Sequence, residues 1–134
     1  MPSYATEGSV GMDVCATSHH TLQPGHRHCF STGLSLRLEP GWEAQVRSRS
    51  GLALKHGIYV LNSPGTIDWD YKGEIGVILH NADTTTPYHV KKGERIAQLV
   101  FNRTPQVTLV AETEAERDPV PKKKRKGGFG STGL

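Results

Sequence analysis

The chain has 134 residues, enough for one domain with a single hydrophobic core. Its formal charge of +3 is local: five of its 16 basic residues stand together in Lys122–Lys126, leaving 11 against 13 acidic ones elsewhere. That excludes a basic nucleic-acid-binding face spread over the fold, and the longest aliphatic group, around Val77-Ile78-Leu79, excludes a membrane-spanning helix.

Fifteen glycines and eight prolines divide the chain into short apolar groups with no long helical periodicity, so the expectation is an all-β chain rich in turns. Met1-Pro2-Ser3-Tyr4 lacks the basic-then-apolar pattern of a secretory signal. Cys15 and Cys29 are too few for a disulfide scaffold and read as free thiols in a reducing compartment. Ser9 to Ala16 reads as a glycine-interrupted strand with Asp13 near a bend. A polar segment follows from His19 to His28, with a turn at Pro24-Gly25. His26 and His28 have a spacing that suits a metal on a strand, but no third ligand is nearby, and they read as solvent-facing loop histidines. Leu34, Leu36 and Leu38 alternate with polar residues within Phe30 to Leu38, the pattern of a half-buried strand. Glu39-Pro40-Gly41 turns the chain into another strand from Trp42 to Val46. Arg47 to Gly57 then joins two arginines, two serines and a glycine to the one stretch with helical character. Donors clustered before a helical turn suit an anion, and a plain surface turn reads equally well there.

Ile58 to Leu61 is an apolar strand leading through Asn62-Ser63-Pro64 into Gly65-Thr66-Ile67-Asp68-Trp69-Asp70-Tyr71-Lys72-Gly73-Glu74-Ile75. On a strand, Asp68 and Asp70 would project from one face, and the flanking glycines suggest a hairpin whose backbone approaches something closely. The alternative is an exposed acidic turn. Glu74 to Leu79 returns as a strand, His80 to Thr84 is a loop, Lys92-Gly93 is a turn, and Ile96 to Phe101 is a buried strand. Gln98 in the middle of that strand needs a partner, as a satisfied core amide or as a ligand contact. Beyond Val110 the composition becomes acidic, then proline-containing, then basic, then glycine-rich, and such a tail builds no core of its own. The coarse expectation is a β-sandwich or barrel over residues 1–115 with a C-terminal arm over 116–134.

Five segments in order resemble the motifs of the trimeric deoxyuridine triphosphatase (dUTPase) family: Gly11-Met12-Asp13-Val14, Arg49 to Ala53, Gly65 to Ile75, Gly93 to Val100 and Gly127 to Gly133. The resemblance implies a jelly-roll-like β-barrel subunit, a homotrimer with active sites shared between chains, and hydrolysis of dUTP to dUMP and pyrophosphate. By resemblance Asp68 orients or deprotonates the attacking water and binds the sugar 3′-hydroxyl. A carboxylate can do so while ionised and within hydrogen-bond reach. Tyr71 is implied to pack under the deoxyribose and exclude a 2′-hydroxyl, while Asn62 and backbone groups of Thr66, Ile67 and Gly76 read the uracil edge. Arg49, Ser50, Gly51 and Gln98 match the phosphate grip. Phe129 is implied to stack on the uracil, with Gly130, Ser131 and Thr132 closing over the phosphates. Mg²⁺ is implied on the triphosphate, with Asp13 holding its water shell and no direct protein cage.

Three positions depart from the family pattern. Ser48 stands where proline is frequent, Glu94 where aspartate is frequent, and Lys124 where an arginine usually meets the γ-phosphate. Either Lys124 makes that contact as a point charge, or Arg125 takes it over after a one-residue shift. Pro121 to Lys126 also has the form of a nuclear-import signal, which would engage an import receptor, so the expected location is intracellular, nuclear or cytoplasmic. The ending Thr132-Gly133-Leu134 has the form of a PDZ-domain ligand. A dCTP deaminase on the same fold, or a non-catalytic signalling descendant, fits less well. Asp68, Tyr71, Arg49, Ser50, Gln98 and Phe129 are all in place for the hydrolase.

Overall fold

The computed structural model describes residues 1–111 and Thr113. The arm boundary, the basic run, the PDZ-like ending and the expectations for Lys124, Arg125, Phe129, Gly130, Ser131 and Thr132 lie outside these residues. The described chain is a jelly-roll-like β-barrel with one short helix. Its elements are β1 (Gly11–Cys15), β2 (His20–Leu22), β3 (Arg27–Ser31), β4 (Trp42–Arg47), α1 (Ser50–His56), β5 (Ile58–Val60), β6 (Gly65–Asp68), β7 (Gly76–Asn81), β8 (Tyr88–Val90) and β9 (Arg95–Arg103). A four-stranded sheet runs β1-β9-β4-β6, a three-stranded sheet runs β3-β7-β5, and β2 pairs with β8. Every pairing is antiparallel.

Period-two burial builds the core between these sheets. Ile58 and Val60 of β5, Val77 and Leu79 of β7, and Ile67 of β6 face inward to meet Val14, Leu22, Phe30, Val46 and Leu99. Asn81 ends β7 fully buried, and its side chain is satisfied by the carbonyls of Leu22 and Thr86 and by the Asp83 N–H. The helix stops at Gly57, whose φ of 65° lets its N–H return to the carbonyls of Ala53 and Leu52. No helix among the described residues is long and apolar enough to cross a membrane.

Three local expectations are corrected. Leu34, Leu36 and Leu38 are half-buried and alternate with exposed neighbours, but this segment belongs to no ladder. In the histidine-rich segment His19 and His26 are exposed and outside any strand, and Pro24-Gly25 is a turn, but His20 lies in β2 and His28 in β3, both half-buried. The His20 and His28 rings stack there with centroids 3.6 Å apart. Finally, β6 and β7 do not form a hairpin ladder. β6 pairs with β4 in one sheet, while β7 pairs with β3 and β5 in another, so Trp69 to Ile75 crosses from sheet to sheet.

Candidate active site

The crossing segment forms one wall of a cavity of about 200 Å³. Asn62, Thr66, Ile67, Asp68, Tyr71 and Gly76 all line it, together with Val46, Gly65, Glu74 and Ile75. The strand period explains the arrangement. Gly65 and Ile67 turn into the core, which leaves Thr66 and Asp68 on the exposed face of β6. No group among the described residues hydrogen-bonds to the Asp68 carboxylate, whereas its carbonyl accepts the Tyr71 N–H at 3.1 Å and tightens the turn after the strand. Asp70 does not share the strand face with Asp68, because β6 ends at Asp68. Both carboxylate residues border a neighbouring concavity with Trp42, Glu43 and Trp69, but Asp70 does not line the cavity that Asp68 shares with Asn62 and Tyr71.

Tyr71 lies across Gly73, where an added Cβ would fall 2.5 Å from the tyrosine oxygen. Its hydroxyl donates to the Glu74 carbonyl at 2.8 Å. The Glu74 carboxylate in turn accepts the Ser31 hydroxyl and the N–H groups of Thr32 (3.1 Å) and Gly33 (2.7 Å). Those bonds, the Ser31 hydroxyl foremost, hold its pKa below the ordinary carboxylate value.

A second group assembles where β1, β9 and the start of α1 meet. The Arg49 Nε donates to Asp13 Oδ1 at 2.9 Å, the Arg95 Nη1 donates to Asp13 Oδ2 at 3.1 Å, and the Arg49 Nη1 donates to the Arg95 carbonyl at 3.0 Å. Gln98 donates to the Ser48 carbonyl at 2.9 Å. The Gln98 side chain also passes over Gly11, where a Cβ would meet its Oε1 at 2.3 Å, so the glycine in β1 makes room for that side chain. Ser50 and Gly51 open the helix and are exposed, with first-turn N–H groups that lack intrahelical acceptors. Among the described residues, none of this second group lines the cavity that holds Asp68, and Gln98 borders a separate concavity with Gln45, Arg47, Ser48, Ser63 and Pro64.

Sequence reasoning missed Glu74, Arg95 and the pair Tyr88–Glu94. Glu94 accepts the Tyr88 hydroxyl on one oxygen and the Lys91 N–H at 2.9 Å on the other, which shapes the turn leading to Arg95. Burial, then the Glu94 contact, pushes the Tyr88 phenol well above its ordinary pKa. Ser48 is also more than a substitute for proline, since its hydroxyl accepts the Val60 N–H at 2.9 Å. The bonds of the Glu74 carboxylate, of Arg95 to Asp13 and of Ser48 to Val60 join segments apart in sequence, and nothing local to them indicated these partners, although the Lys92-Gly93 turn and the departures at Ser48 and Glu94 marked the positions.

A small all-β barrel with a polar cavity at a sheet-to-sheet crossing is a scaffold for a compact, hydrogen-bonding ligand. The dUTPase family model matches residues 1–133, and the chain belongs to the dUTPase family. The deoxyuridine 5′-triphosphate nucleotidohydrolase of Beijerinckia indica is 49% identical over 137 residues, covering 99% of this chain and 82% of the relative. That of Ehrlichia canis is 49% identical over 136 residues, covering 100% of this chain and 87% of the relative. Among solved structures, the Staphylococcus bacteriophage 80alpha dUTPase with dUPNHPP superposes with a TM-score of 0.83 at 25% identity, covering 100% of this chain and 92% of that one. The dUTPase of S. aureus phage phi11, solved as a point mutant with a structural Mg(II) ion, gives a TM-score of 0.75 at 22% identity, covering 85% of this chain and 91% of that one.

Proposed function

We propose that this chain hydrolyses dUTP to dUMP and pyrophosphate, and that the cavity between β6 and β7 receives the deoxyuridine. The observation that carries this reading is the meeting of Asn62, Thr66, Ile67, Asp68, Tyr71 and Gly76 in one cavity. The Asn62 amide and the backbone of β6 and Gly76 offer donors and acceptors to the uracil edge, and Tyr71 takes the sugar. Asp68, with its carboxylate free of protein partners among the described residues, accepts a proton from the attacking water. Arg49, Ser50, Gly51 and Gln98 receive the phosphates, where a guanidinium fixed by Asp13 and Arg95 stabilises charge that grows in the transfer. The glycine-rich arm over 116–134 closes the site, with Phe129 on the base, Gly130, Ser131 and Thr132 over the phosphates, and Lys124 or Arg125 at the γ-phosphate.

Mg²⁺ fits this site only through water. No group of three or more His, Cys, Asp or Glu side chains among the described residues is placed to hold an ion. Asp13 accepts one bond from each guanidinium and remains 24% exposed, so each of its oxygens keeps a lone pair for the ion's water shell. When bound, the ion supplies positive charge to the triphosphate oxygens.

A homotrimer in which Asp68 and Arg49 of one site come from different subunits is supported by Arg49 being held by Asp13 and the Arg95 carbonyl and not lining the Asp68 cavity of its own chain. The basic run 121–126 is assigned to the triphosphate first. A second use as a nuclear-import signal rests on that run alone, since relatives such as those of Beijerinckia and Ehrlichia are bacterial. Replacing Lys122 and Lys123 by alanine leaves the cellular distribution unchanged if the run serves only the nucleotide. The test of the main proposal is pyrophosphate release with Mg²⁺ from dUTP, dTTP, dCTP and UTP in parallel. Release confined to dUTP is the expected result; ammonia release from dCTP would move the chain to the deaminases.

A further inference from the structure

We propose that Glu74 is a positioning residue that sets discrimination between deoxyribose and ribose by fixing Tyr71. The inference rests on the reading of Tyr71 as the residue under the sugar. Tyr71 is 46% exposed, and among the described residues its side chain has one hydrogen bond, from its hydroxyl to the Glu74 carbonyl at 2.8 Å. The place of that carbonyl therefore decides where the ring stands against the cavity.

Residue 74 is fixed from the opposite side. Its carboxylate Oε1 gathers the Ser31 hydroxyl and the N–H groups of Thr32 and Gly33, and the next residue, Ile75, is held through both its N–H, which shares a peptide with the Glu74 carbonyl, and its own carbonyl. Thr32 Oγ1 donates to the Ile75 carbonyl at 2.6 Å, and the Ile75 N–H donates to the Leu34 carbonyl at 2.8 Å. Ser31 closes β3, so this anchor ties the crossing segment to the three-stranded sheet. Discrimination against a hydroxyl by steric exclusion works only while the excluding ring cannot swing aside. The chain of fixed positions thus runs from β3, through the Glu74 carboxylate and carbonyl, to the Tyr71 ring.

The test compares kcat/KM for dUTP and UTP in the full-length protein and in four variants, Glu74→Ala, Glu74→Gln, Tyr71→Phe and Tyr71→Ala. Glu74→Ala should lower the dUTP:UTP ratio about tenfold, the factor that one ordinary hydrogen bond amounts to, mainly through a lower KM for UTP. Glu74→Gln, which keeps an acceptor oxygen at the same place, should recover most of the ratio. Tyr71→Phe cuts only the hydroxyl–carbonyl bond and leaves the anchor intact, so its ratio should fall as well, and it decides the matter if Glu74→Ala does not fold. A ratio unchanged in Glu74→Ala and Tyr71→Phe, but collapsed in Tyr71→Ala, overturns the role of Glu74 and leaves Tyr71 as the sugar filter. A ratio unchanged in Tyr71→Ala overturns the Tyr71 reading and this inference with it.

Discussion

Two carboxylates of this molecule have opposite surroundings, and those surroundings separate their roles. Asp13 shares its oxygens with Arg49 and Arg95, so its charge is spent on holding guanidinium groups in place. Asp68 has no such partner among the described residues and faces a cavity, the condition for a group that must accept a proton from water. Asp68→Asn keeps the shape and hydrogen-bonding capacity but removes the basic oxygen. Its kcat should fall by a factor of about 10² to 10⁴, while a non-hydrolysable dUTP analogue binds as before. Pyrophosphate release and calorimetric binding measured on the same preparation check this, and wild-type turnover would remove Asp68 from the mechanism. Arg49→Lys retains the charge, yet an ammonium lacks the fork that reaches Asp13 and the Arg95 carbonyl together. That variant should lose about tenfold in kcat/KM, read in the same assay. Asp68, Asn62 and Tyr71 were legible in the sequence because the cavity wall is one short stretch with the strand that precedes it. Glu74 was not, because its partners Ser31, Thr32 and Gly33 lie more than forty residues away and meet it only after β3 and β7 pair.

At the scale of elements, alternation was a faithful guide to burial and a poor one to pairing. β5, β7 and β9 stand within a residue or two of where apolar patterning places them, since their inward faces fill the core. Leu34, Leu36 and Leu38 follow the same pattern without a ladder, because packing against the core requires only one face while a ladder requires a neighbouring strand. β2 and β3 were hidden by the opposite effect: their histidines look like loop polarity but stack on one another and on Phe30. That stack has a pH consequence. Burial first, and the neighbouring His20 second, lower the His28 pKa from its ordinary 6.5. The folded chain thus favours neutral His28, and as pH falls the unfolded chain takes up the proton first. Stability linked to the neutral ring is complete above the ordinary value and drains away as pH drops through it. The urea midpoint should therefore fall between about pH 8 and about pH 5.5. The double replacement His20→Phe and His28→Phe, which keeps two stacked rings without the titrating nitrogens, should reduce that fall. An equal fall in the double variant would assign it to other histidines.

For the whole molecule, the question is whether the two groups of candidate site residues serve one site or belong to sites shared between chains. The Asp68 cavity belongs to β4, β6 and the crossing to β7, whereas Asp13, Arg49, Arg95 and Gln98 gather at β1, β9 and the start of α1. β9 pairs with both β1 and β4, so one strand underlies both groups. In the proposed trimer, a rotation that closes a ring sets one face of each chain against a different face of the next, which would let the Asp68 of one chain face the Arg49 of another. The prediction is complementation. Asp68→Asn and Arg49→Ala chains, each inactive alone, are unfolded together in equal amounts and refolded. If Asp68 and Arg49 of a site come from different subunits, half of the first positions and half of the second carry the intact residue, so about a quarter of wild-type activity returns. If both come from one subunit, every site carries one defect and no activity returns. Size-exclusion chromatography with light scattering on the same mixture reads the number of chains. A quarter of the activity in a three-chain particle establishes the shared site, and none in that same particle would place the complete site within one chain.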